Sequence, residues 1–102
     1  MSQPVIFRAG ALSDVDDAYH WYEAQRVGLG AAFMTALDQA VLSVNQNPEQ
    51  YQRVRGQVRR ALLHKFPYGV FYVARPEFSS VIAVLHHARD PKHWRQRSRF
   101  AR

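Results

Sequence analysis

The chain has 102 residues, 47% of them hydrophobic and 22% charged, proportions that suit one ordinary globular core and exclude a disordered or fibrous chain. It has no cysteine, which excludes disulfides, thiolate metal sites and cysteine nucleophiles, and the cytoplasm is the expected compartment. The net charge of +6 is unevenly placed: residues 1–50 hold two basic against six acidic residues, a balance of −4, whereas residues 51–102 hold twelve against two, a balance of +10. Such a basic half favours a polyanionic partner, a nucleic acid or an acidic protein segment. No apolar run approaches bilayer-spanning length, so no membrane association is expected, and the opening MSQPVIFRAG lacks the pattern of a signal peptide.

In chain order, residues 4–8 (PVIFR) read as a first strand. Ser13 with Asp16 three residues on has capping-box spacing, and Asp14, Asp16 and Asp17 suit the positive end of a helix dipole, which predicts a helix from about Ser13 to near Gly28. Its buried stripe is expected to be Leu12, Val15, Ala18, Tyr19 and Tyr22. A second helix follows Gly30, buries Phe33, Leu37, Ala40, Val41 and Val44, and stops at Asn45-Gln46-Asn47-Pro48. Residues 57–65, 68–74 and 80–87 then read as three strands of an antiparallel meander. The tail, 90–102, is too polar for core; it is expected to form a short turn or helix and to fray from about 98.

The order β-α-α-β-β-β gives an α+β fold, a single domain over 1–102 in which an antiparallel helical hairpin covers one face of an antiparallel sheet. The other face is left to solvent or a partner.

Candidate chemistry lies in the basic half. His64, His86, His87 and His93 could exchange protons beside arginines, as RNA cleavage requires, with Arg60, His86, His87 and Arg89 as the candidate set. His86 and His87, adjacent on a strand, are expected on opposite faces, so that only one would serve a given site. A structural or interface role is the commoner one for such histidines. Arg59, Arg60, Arg89, Arg95 and Arg97 suit phosphates or carboxylates, and Tyr68, Tyr72 and Trp94 could stack on bases, although core packing is expected for Tyr72 and Trp94. No metal site is expected, since no carboxylate or thiolate lies at ligand spacing from the histidines. No cofactor motif is found.

Several strings in fixed order resemble the ParE/RelE superfamily of type II toxin–antitoxin toxins, which includes the plasmid-stabilisation toxins. They are Trp21-Tyr22-Glu23, Leu29-Gly30 with Phe33, Asn47-Pro48, Val58-Arg59-Arg60, Phe66-Pro67-Tyr68 running into Val70-Phe71-Tyr72, and Val84 to Pro91 with Trp94 and Arg97. The resemblance covers about residues 5–97 and implies a growth-inhibiting toxin neutralised by an antitoxin encoded beside it, with promoter DNA bound only through the antitoxin. It also implies one of two targets: DNA gyrase for ParE-like members, which are not known to catalyse a reaction themselves, or ribosome-bound mRNA for RelE-like endonucleases. A third alternative is a degenerate, non-toxic binding module. Where RelE-like nucleases carry an arginine shortly after the tyrosine and a tyrosine near the C-terminus, this chain has Gly69, Val70 and Trp94, which favours gyrase. The surface expected to meet target or antitoxin comprises Arg59, Arg60, Tyr68, His87, Arg89, Trp94 and Arg97.

Overall fold

The computed structural model describes residues 2–88 of the chain. The expectations for the tail, and for Arg89, Trp94 and Arg97 in it, lie outside the described residues. Among the described residues, seven elements run in the order β1 (Val5–Phe7), α1 (Ala9–Gln25), α2 (Leu29–Gln46), β2 (Arg53–Arg55), β3 (Val58–Leu62), β4 (Tyr68–Ala74) and β5 (Ser79–His86). They build an α+β fold with one five-stranded sheet in the order β1-β5-β4-β3-β2. The sheet is mixed rather than wholly antiparallel, because β1 lies parallel to β5 with Val5 opposite Ser79, while β2 to β5 run antiparallel. The helical hairpin follows β1 directly and leaves only the last strand to return beside it.

Helix α1 begins one turn earlier than the capping-box spacing suggested. Arg8 is its N-cap and makes no side-chain cap hydrogen bond. Its backbone N–H donates to Val81 O (2.9 Å) and its Nε to Ser80 Oγ (3.0 Å), so β5 fixes where the chain turns from strand into helix. This tertiary anchoring overrides the local signal at Ser13. Packing against α2 and β5 selects the buried stripe, which is Ala11, Ala18 and Tyr22 with Val15 against it; of the other expected members, Tyr19 is half-buried and Leu12 is 57% exposed. The acids of the first turns are spent elsewhere: Asp14 Oδ2 accepts the Val84 N–H (3.0 Å), and Asp16 meets His20 at 3.3 Å on the surface.

The turn between the helices, residues 26–28, depends on one carboxylate. Glu23 Oε1 and Oε2 accept the Gly28 N–H (3.1 and 3.0 Å), and Oε1 also accepts the Gly30 N–H (2.9 Å). The unsatisfied donors at the start of α2 are thus capped from the end of α1. Gly28 has φ +92°, and at Gly30 a Cβ would meet both Glu23 Oε1 and Tyr19 O at 2.9 Å, so the hairpin closes only with glycine there. At the other end of α2, Gln50 Nε2 donates to Ser43 O (2.8 Å), and Tyr72 OH donates to Pro48 O (2.6 Å).

The main core joins Phe33, Leu37, Ala40 and Val44 of α2 and the α1 stripe to Ala61, Val70, Tyr72, Val81 and Val84 of the sheet. Phe33, Tyr22, Phe66 and Tyr68 form a ring cluster with centroids 5.0–5.9 Å apart. Filling such positions with aromatics is the most economical way for a chain this short to bury area. A second apolar cluster, Val58, Phe71, Val73, Ile82, Ala83 and Leu85, lies on the opposite face of the sheet. Its members are buried, Ile82 to 1% exposure, so the centre of the face expected to meet solvent or a partner is an apolar cluster closed from solvent. A bulge causes part of this. Phe71 is opposite Ala83 but Tyr72 is opposite Val81, so Ile82 is the extra residue and joins Ala83 on one face.

Strand β2 is absent from the sequence reading. It has three residues, two of them arginine, and pairs with β3 through Gly56 at φ +54°, a combination too short and too polar to show alternation.

Candidate functional site

Helix α1 packs on β5, and between them and the start of β4 lies a cleft of about 550 Å³ lined by Asp14, Asp17, Trp21, Tyr22, Pro67, Tyr68, Val84 and His86. Asp14, Asp17 and Trp21 recur at the three-and-four spacing of one helical face, so α1 presents them together. Tyr22 and Tyr68 form the floor as part of the ring cluster, and burial, with Tyr68 adding to it, raises the Tyr22 hydroxyl above its ordinary pKa. The Trp21 indole stands edge-on to Tyr22 (5.1 Å, 87°) and is 58% exposed. At the far end the His86 ring meets Tyr68 (5.5 Å, 77°), and its Nδ1 accepts the Ala88 N–H at 3.0 Å. A neutral His86 in this arrangement carries its proton on Nε2 and offers a donor rather than a base at that atom.

The residues expected to carry function fall into separate places. Tyr68, His86 and His87 meet at one end of the sheet. The rings of His86 and His87 lie 5.3 Å apart and are not on opposite faces, because β5 ends at His86 and strand alternation no longer governs His87 in the turn. The His87 N–H donates to Pro67 O (3.0 Å), which fastens this turn to the β3–β4 connection.

Arg59 and Arg60 are neighbours in β3 and leave it on opposite faces. Arg59 Nη1 donates to Tyr51 O (2.6 Å) and Glu49 O (3.1 Å), holding the α2–β2 connection. The stem of Arg60 lies over Gly69, where a Cβ would stand 2.9 Å from its Cγ. This is a physical reason for glycine at the position following Tyr68. Tyr72 is fully buried; burial, opposed by Arg59 and aided by Tyr51, pushes its hydroxyl up to about 12. No group of three or more metal-ligating side chains occurs among the described residues.

Asp14, Asp17 and Trp21 were not singled out as site residues from the sequence. Their shared helical face was the available signal, masked by the reading of the acids as a helix cap.

The family model for the ParE toxin of the type II toxin–antitoxin system parDE matches residues 5–91. The chain belongs to the ParE toxin family. The family's match spans every described element from β1 to β5. A chain of a solved structure titled "Chromosomal ParDE TA system from P. aeruginosa" is similar in fold, with a TM-score of 0.74 over 83% of this chain and 96% of that one, at 15% identity. No curated protein matches the sequence. Two of the strings that carried the resemblance have physical roles in this ParE-family chain: Trp21-Tyr22-Glu23 builds the cleft wall, the ring cluster and the cap of α2, and Phe66-Pro67-Tyr68 supplies two of the rings and the acceptor for His87.

Proposed function

We propose that this ParE-family chain is a growth-inhibiting toxin that acts on DNA gyrase in the cytoplasm and is neutralised by an antitoxin encoded beside it. The family match over residues 5–91 carries the reading. The charge layout supports it: the helical layer belongs to the acidic half and β2 to β5 to the basic half, so a polyanionic target or acidic antitoxin segment is drawn to the sheet side. Arg53 stands opposite Arg59 in the β2–β3 ladder, which adds two cations to the sheet side.

A non-enzymatic mode of action is favoured over mRNA cleavage by how the nuclease candidates are used. Arg60 is drawn over Gly69 on the face opposite Arg59, and the Nδ1 of His86 is occupied by the Ala88 N–H. Neither arrangement sets a free base against a phosphate-binding arginine. His87 remains the candidate in the turn that meets target or antitoxin, with Arg89, Trp94 and Arg97 beyond it.

Brief induction in a bacterial host followed by mapping of RNA ends tests the choice. Filamentation with DNA breaks and unchanged RNA ends is expected; widespread codon-phased cleavage would replace gyrase with ribosome-bound mRNA.

A further inference from the structure

The cleft beside α1 has a chemistry opposite to that of the sheet. Its helical wall carries Asp14 and Asp17 with Trp21 one turn beyond Asp17, and its floor is aromatic. Asp14 is held in the wall by the Val84 N–H, whereas Asp17 is an exposed carboxylate at the rim. Trp21 remains 58% exposed although a tryptophan is the largest source of buried area a chain can place. An exposed indole face and a carboxylate on the same helical face attract the same guest, a flat organic cation, and repel phosphate and carboxylate. A cavity of about 550 Å³ admits such a side chain together with the backbone that bears it.

We propose that this cleft is a socket for an arginine side chain of the antitoxin, its guanidinium stacked on Trp21 and paired with Asp17. The inference deepens the antitoxin reading and rests on it for the identity of the partner. Charge complementarity argues for an arginine in particular. The chain carries +6 overall and its sheet half favours acidic segments, so a basic residue on the partner is drawn to the acidic helical layer, where Asp14 and Asp17 stand together on α1. One arginine in an otherwise acidic segment would therefore set the register and direction of binding. The planar guanidinium suits the indole face better than the ammonium of lysine does.

The test uses N-acetylarginine amide as probe and its neutral isostere N-acetylcitrulline amide as control. The Trp21 indole N–H resonance of the purified chain, assigned with Trp21→Phe, is followed in titrations of both. A saturable shift with the arginine compound only, lost in Asp17→Asn, is expected. Equal shifts from citrulline, or a wild-type titration in Asp17→Asn, would overturn the socket. Asp17 is exposed, so Asp17→Asn should melt with the wild type. With the neighbouring antitoxin, Asp17→Asn should weaken the complex about tenfold, the usual effect of losing a charged hydrogen-bond partner. Equal affinity for both toxins would remove the socket and leave the antitoxin reading standing. If no neighbouring protein binds the wild type, the antitoxin reading falls, while the titration still judges the cleft's preference for the cation.

Discussion

Glu23→Ala removes the only side chain that caps the start of α2 among the described residues. Two N–H donors lose their acceptor: Gly28, bonded at the surface at 3.0 and 3.1 Å, and Gly30, bonded at 2.9 Å in a partly buried position. A lost cap of this kind costs about 0.5–2 kcal/mol, and the partly buried charge-assisted bond to Gly30 places the loss near the top of that range, at about 2 kcal/mol. Glu23→Gln keeps an oxygen for Gly30 but loses the charge facing the helix dipole, so about 1 kcal/mol is expected. For a domain of this size each kcal/mol lowers Tm by roughly 4–8 °C, so Glu23→Ala should melt about 8–16 °C below the wild type and Glu23→Gln about half as far. Circular dichroism melts and urea titrations with an unchanged m value would measure this. If both variants melt within about 2 °C of the wild type, the carboxylate is not what holds the hairpin turn.

Tyr72 supplies a pH test: its folded-state pKa is raised from 10.0 to about 12, so the stability it contributes is complete below pH 10 and is lost as pH rises towards 12. The slope should be about 1.4 kcal/mol per pH unit in that window, seen by urea titration, and Tyr72→Phe should remove it while costing about 1 kcal/mol at neutral pH through the lost bond to Pro48. Arg59→Ala should cost about 1–2 kcal/mol because it frees two carbonyls, whereas Arg60→Ala should stay within about 0.5 kcal/mol, a contrast that denaturant titration resolves. Phe33→Ala should cost about 3–5 kcal/mol and abolish toxicity with the fold, while His87→Ala, Arg89→Ala and Arg97→Ala should weaken toxicity in growth assays with melting curves near the wild type.

The parts of the fold that were legible in the sequence are those where local pattern and tertiary packing agree. Helix α2 shows this: Phe33, Leu37, Ala40 and Val44 of the expected stripe are buried, Val41 is only partly so, Ala36 is added, and Asn47 ends the helix. Strand β4 runs from Tyr68 to Ala74 as its run of β-branched and aromatic residues indicated, since both of its faces meet apolar clusters. Legibility failed where long-range contacts decide. The start of α1 is set by Val81 and Ser80, more than seventy residues away, and the parallel pairing of β1 with Ser79–Val81 has no local signature. The bulge at Ile82 is likewise a property of two strands together.

The site was legible in part. Tyr68, His86 and His87 were each singled out from the sequence, but His86 and His87 were expected on opposite faces and their grouping with Tyr68 had no signal; it comes from the pairing of β4 with β5 and the end of β5 at His86. The cleft's helical wall was missed because a carboxylate near a helix start has a sufficient local explanation, and only the sheet reveals that Asp14 serves Val84 instead.

We propose that this ParE-family chain disables gyrase without cutting RNA. Purified chain incubated with gyrase, relaxed plasmid and ATP measures it most directly. A dose-dependent loss of supercoiling with accumulation of gyrase-linked double-strand breaks is the predicted result. Unimpaired supercoiling at excess toxin, beside codon-phased cleavage of mRNA on ribosomes by the same preparation, would contradict it.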